Sequence, residues 1–153
     1  MWWTSLDDEE ENNGESGDGG FMKELIDKLR LLETEISQKQ GDFSLFALLL
    51  REDAQNKWDL VASAPWFWSD KKKTLDYLAK KLRSRLTSDE LLTLSRIVLI
   101  DASNPTLHAL QQDFQVHHTP IEVQDCNLFG LQIQRAYIFT SRRNGSDSNQ
   151  IST

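Results

Sequence analysis

The chain has 153 residues, 39% of them hydrophobic, a formal net charge of −7 and one cysteine. That length suits one domain, with enough apolar material for a core that needs no disulfide or structural metal. A lone thiol, Cys126, excludes an internal disulfide and a cysteine-rich zinc site, and it fits a reducing cytoplasm.

No apolar run approaches the roughly 18 residues of a membrane span, so no membrane partner is expected. The N-terminus has MetTrpTrp followed by acid, not a basic region followed by an apolar one, so no secretory signal is expected either. The negative charge is local. Asp7, Asp8, Glu9, Glu10, Glu11, Glu15 and Asp18 are seven acids in twenty residues without a base, and the remainder balances 17 acids against 17 bases.

Residues 1–20 hold too little apolar surface to offset their ordering entropy, which predicts a disordered acidic tail. Phe21, Leu25, Leu29, Leu32 and Ile36 then form one stripe at helical spacing. They predict a helix over 21–40, stopped by Gly41. Met22 and Leu31 lie off the stripe and offer a second contact.

Phe43–Leu50 is apolar at nearly every position, as in a strand covered on both faces. Trp58–Ala64 follows a short polar turn, so the two strands form an antiparallel hairpin. Pro65, Trp66, Phe67 and Trp68 make an aromatic elbow. Ser69 or Asp70 then caps an amphipathic helix with Leu75, Leu78, Ala79, Leu82 and Leu86 inside and seven bases outside: Lys71, Lys72, Lys73, Lys80, Lys81, Arg83 and Arg85.

Thr87-Ser88-Asp89-Glu90 fits a capping box for a short helix over 89–94. Arg96–Asp101 is apolar on both faces and predicts a central strand. Asn104-Pro105 opens a helix to Phe114. Thr119–Gln124, a turn over 125–130 and a strand from Leu131 to Thr140 complete a hairpin, and residues 143–153 form a polar, disordered tail. The expectation is a single α+β domain over 21–142, a mixed five-stranded sheet with helices packed on it in the order α-ββ-α-β-α-ββ.

Phosphate-binding glycine loops, zinc-protease, serine-hydrolase and C-x-x-C motifs are all missing. No cofactor and no catalytic residue is assigned. His117 and His118 are adjacent, and on an extended chain neighbours point to opposite faces, so no metal is expected there. Asp101 and Asn104, at the carboxyl end of a strand and the start of a helix, either serve as capping residues alone or mark the best place for a small ligand.

The element order is similar to that of the restriction-endonuclease-like fold. That site needs an acid and then an acid-x-Lys strand to hold its metal; Asp59 and Glu122 are strand acids, but Glu122 is followed by Val123-Gln124, and Glu52-Asp53-Ala54 has no lysine. The sharpest feature is Trp66, Trp68, Lys71, Lys72 and Lys73. Either Trp66, Phe67 and Trp68 plug the end of the sheet and the lysines are a solvated face, or these residues form a partner or subunit interface, or they bind a single-stranded nucleic acid. The leading expectation is a cytoplasmic domain that acts through protein association, as a homo-oligomer or adaptor. The alternative is a nucleic-acid-binding protein or metal-dependent nuclease, with the acidic tail masking the basic helix.

Overall fold

Two helices on one side of a mixed sheet and one on the other set the architecture. The structure, a computed structural model, describes residues 3–5, 17–52 and 57–142. Its elements are β1 (Trp3–Ser5), α1 (Gly17–Gln40), β2 (Leu45–Arg51), β3 (Trp58–Ser63), α2 (Lys71–Arg85), α3 (Ser88–Thr93), β4 (Leu94–Leu99), α4 (Pro105–Asp113), β5 (Val116–Leu128) and β6 (Leu131–Ser141).

Among the described residues the sheet runs β1-β5-β6-β2-β3-β4. The five expected strands are present in a mixed sheet, and the three-residue β1 adds a sixth beside β5. All neighbours are antiparallel except β3 and β4. Of the expected disordered segment 1–20, Trp3–Ser5 forms β1 and Gly17–Gly20 opens α1, while residues 6–16 lie outside the described residues. So do residues 53–56 in the β2–β3 turn and 143–153.

Strand β2 sits between β6 and β3 and alternates between two cores, which explains its unbroken apolar run. Phe46 and Leu48 face α1 and α2, together with Leu25, Leu29, Leu32, Leu60, Leu78 and Phe139. Leu45, Ala47 and Leu49 face α4, together with Val61, Leu107, Leu110, Ile133 and Ile138. Asp70 caps α2 by accepting from the Lys72 amide, and Thr87 and Glu90 form the expected capping box. The buried stripe of α2 is Thr74, Leu78 and Leu82, one residue off the predicted start at Leu75. The Thr74 hydroxyl is drawn inward to accept from the Trp68 amide.

The strand expected at the centre is an edge strand. Among the described residues β4 has only β3 beside it, and its side chains are half-buried or exposed. Its apolar run reflects covered faces, not two neighbouring strands: Ile97 and Leu99 pack on the α1–α2 side, and Val98 and Ile100 on the α4 side. The last hairpin also turns later than expected. Leu128 pairs with Leu131 around Phe129-Gly130, both at positive φ (54° and 76°), the primed geometry that matches strand twist.

Gly41 ends α1 at φ 119°, and a Cβ placed there would lie 3.3 Å from Trp66 Cδ1. Gly41→Ala is expected to lower stability by about 1–3 kcal/mol, from strained backbone and the displaced indole. A thermal melt followed by circular dichroism would check it.

Candidate functional site

The antiparallel pairings bring the starts of β2 and β5 to the same end of the sheet as the finishes of β3, β4 and β6. A polar cluster of Glu33, Asp42, His117, His118, Thr140 and Arg142 gathers there. Asp42 arrives on the short link between Gly41 and β2. Arg142 is fixed through its backbone: its amide donates to Ser44 O at 3.0 Å, and its carbonyl accepts from the buried Gln111 side chain of α4 at 2.8 Å.

The two histidines reach one side of the chain through a bulge. His117 pairs with Thr140 and Ile121 with Ile138, so β5 spends four steps where β6 spends two. Pro120 lies in the surplus and cannot donate to a ladder. His118 turns to φ 63°, its amide donates to Thr140 Oγ1 at 3.1 Å, and its ring stacks on His117 with centroids 3.8 Å apart. The alternation expected of an extended chain therefore does not hold at this pair.

Behind them Glu33 of α1 is 0% exposed. Its carboxylate accepts from His118 Nδ1 at 2.6 Å, Thr140 Oγ1 at 2.8 Å and Ser37 Oγ at 3.3 Å. Three donors satisfy a charge that burial would otherwise make costly. In front, Arg142 Nη1 lies 2.9 Å from Asp42 Oδ2 and 3.0 Å from His117 Nε2. A guanidinium cannot accept, so His117 Nε2 is the acceptor. Burial, then the neighbouring His118 and Arg142, hold the His117 pKa below the usual imidazole value, against the pull of Asp42 and Glu33.

The structure disperses the residues singled out from sequence. Trp66 is half-buried among Phe43, Phe67, Trp68 and Tyr77, closing the end of the α1–α2 core beside Gly41. Trp68 is half-buried against Tyr77, with the Lys73 ammonium 4.9 Å from its ring centre. Lys71, Lys72 and Lys73 are exposed, and Lys72 pairs with Asp76. Lys81 and Arg85 turn inward to Glu35 of α1. Asn104 caps α4, accepting from the Thr106 and Leu107 amides, while Asp101 is exposed and accepts from the Asn104 amide through its carbonyl. Both follow the edge strand, about four strand spacings (roughly 19 Å) from β5.

The strand acids do not meet either. Asp59 is opposite Leu49 on the α4 face, and Glu122 is opposite Tyr137 on the α1 face, three strand spacings away. Asp59 holds Arg51 at 3.0 Å and Arg96 at 3.3 Å, and Glu122 holds Arg135 at 3.1 Å. Burial, with Asp125 beside it, pushes the Cys126 thiol pKa up, which keeps it protonated at neutral pH and a poor nucleophile.

A second feature is the free side of β4. The Ile100 amide donates to Ala62 O, so by alternation the amides of Ile97 and Leu99 face away from β3. Among the described residues no strand pairs with that side. Leu92, two residues before β4, is 66% exposed, and with Leu31 at 57% it is one of two large exposed apolar side chains described. No helix described is long and apolar enough to cross a membrane. No family model, curated protein or solved structure matches the chain.

Proposed function

We propose that the protein acts by association with a second copy of its own chain, through the outer side of β4. The observation that carries this reading is the unpaired row of amides on a strand whose apolar side chains are only half covered, with Leu92 exposed next to it. Strand addition to such an edge gives affinity through main-chain hydrogen bonds, and apolar neighbours add burial. A reducing, cytoplasmic setting accords with the single protonated thiol. The aromatic elbow, the other candidate interface, spends much of its surface on the core of its own chain.

Light scattering coupled to size-exclusion chromatography, at up to roughly 100 μM chain, tests this well above micromolar dissociation constants. The expected mass is twice that of the monomer. Leu99→Pro removes an outward amide without touching the ladder to β3, and Leu92→Glu charges the apolar flank. Each is expected to return the monomer mass with the circular dichroism spectrum unchanged. A monomeric parent chain over that range, or a dimer that survives both substitutions, would sink the proposal.

The nucleic-acid alternative draws on the exposed Lys71–Lys73 and on Trp68. It predicts oligonucleotide binding that weakens steeply with salt and is lost in Lys71→Glu with Lys72→Glu.

A further inference from the structure

We infer that Asp42, His117 and His118 form a binding site for one divalent transition-metal ion of the zinc type, with Glu33 as the positioning residue behind His118. One ligand atom from each of the three lies within 4.8 Å of the others. His117 Nε2 is 3.4 Å from Asp42 Oδ2, and His118 Nε2 is 3.9 Å from Asp42 Oδ1. Tetrahedral zinc, with bonds of about 2.0–2.1 Å, sets its ligand atoms roughly 3.4 Å apart. The cluster is therefore near the spacing such an ion requires before any side chain moves.

The hydrogen bonds fix which atoms are available. Glu33 can only accept, so His118 carries its proton on Nδ1 and presents the Nε2 lone pair to Asp42. His117 Nε2 accepts from Arg142, so its lone pair also points into the cluster. Two imidazole lone pairs and a carboxylate turned toward one another repel unless a cation lies among them. Arg142 Nη1 supplies part of that charge, bridging Asp42 and His117.

A dication placed among the three would meet all of them and release Arg142. The arginine side chain stands at the end of β6 with 30% of its surface exposed and can turn to solvent. A carboxylate holding the far nitrogen of a ligand histidine is the usual second shell of such ions: it fixes the tautomer and raises ligand basicity. Here that carboxylate is fully buried and held by two further hydroxyls, so it cannot itself leave to become a ligand. Two nitrogens and one oxygen leave a fourth position open for water or a ligand. Softness favours zinc, cobalt, nickel or copper over magnesium and calcium.

The inference is independent of the β4 edge, and its test does not depend on oligomeric state. The full, untagged chain is titrated with Zn2+ by calorimetry, and with Co2+ while the visible absorption of a tetrahedral nitrogen–oxygen site is recorded. Magnesium serves as the control. One Zn2+ per chain is expected. His117→Gln, His118→Gln and Asp42→Asn are each expected to weaken it at least tenfold and to remove the cobalt band.

Glu33→Gln keeps every ligand atom and is expected to weaken binding about 10- to 100-fold. Arg142→Met removes the competing guanidinium and is expected to leave affinity equal or higher. His117 is 43% exposed, so its substitution tests the site even where changes at the more buried His118 perturb folding. No stoichiometric Zn2+ in either the parent chain or Arg142→Met would overturn the inference. That outcome would make the cluster an ion-pair network only; binding that survives His117→Gln would overturn the inference as well, and so would an affinity that falls when Arg142 is removed, since Arg142 would then support the ion and not compete with it.

Discussion

Replacing Asp59 by alanine is expected to remove about 3–5 kcal/mol of folding stability, the cost of leaving one member of a buried ion pair without its partner. Asp59 is 2% exposed and sits on the α4 face of β3 between Arg51 and Arg96. Most of the loss comes from Arg51, whose side chain is 20% exposed; Arg96 is half in solvent and adds little. Replacing Asp59 and Arg51 together by leucine is expected to recover most of the loss, because two apolar groups of similar volume need no desolvation. Urea unfolding of the parent chain, Asp59→Leu, Arg51→Leu and the double leucine variant measures the coupling directly. A cost below about 1 kcal/mol for Asp59→Ala would show that the carboxylate is not committed to the fold. It would then reopen the reading of Asp59 as a metal-binding strand acid.

How far the chain can be read without coordinates depends on which interaction sets each element. Local chemistry was fully legible at Asn104-Pro105 and at Thr87–Glu90, because caps are made by the residues that flank them. The two-faced burial of Phe43–Leu50 was legible too, since alternation between two cores leaves no polar position. The position of β4 was not. An apolar run reports that both faces are covered, and the helices that cover β4 reach past the last strand pairing. Helix α1 begins four residues before its stripe, at Gly17, in a segment whose composition favours disorder.

The polar cluster stayed hidden for a different reason. Opposed side chains on adjacent residues follow only from regular pleating, and the β5 bulge breaks it. Pro120 within an alternating run was the available signal, because proline in a paired strand marks a bulge or an edge. Glu33 gave no signal: nothing in the sequence separates it from Glu24, Asp27 and Glu35, which are partly or fully exposed on the same helix. Its burial depends on Thr140, 107 residues away. The aromatic elbow left several readings open. Trp66 closes the core end beside Gly41, while Trp68 is half-buried against Tyr77 with Lys73 over its ring.

Glu33 carries the other large expected effect. Glu33→Ala leaves His118 Nδ1–H, the Thr140 hydroxyl and the Ser37 hydroxyl without their acceptor at a fully buried position, and opens a cavity between α1 and β6. Unpaired donors at about 1–3 kcal/mol each, partly relieved as the hydroxyls turn to other partners, put the loss at about 3–5 kcal/mol. Glu33→Gln keeps the volume and one acceptor oxygen but turns an amide donor toward groups that already donate, so an intermediate cost of about 1–2 kcal/mol is expected.

The spectroscopic consequence is more specific than the stability. With its acceptor gone, the His118 ring loses the bond that fixes its tautomer, and nitrogen chemical shifts of that imidazole should move from a single Nδ1–H form toward a mixture. A structural glutamate that merely filled space would give a loss for alanine but little for glutamine or leucine, and an unchanged His118 spectrum. If Glu33→Leu is as stable as the parent chain and the tautomer is retained, the buried carboxylate is not what holds His118 at φ 63°. The bulge and Pro120 would then suffice.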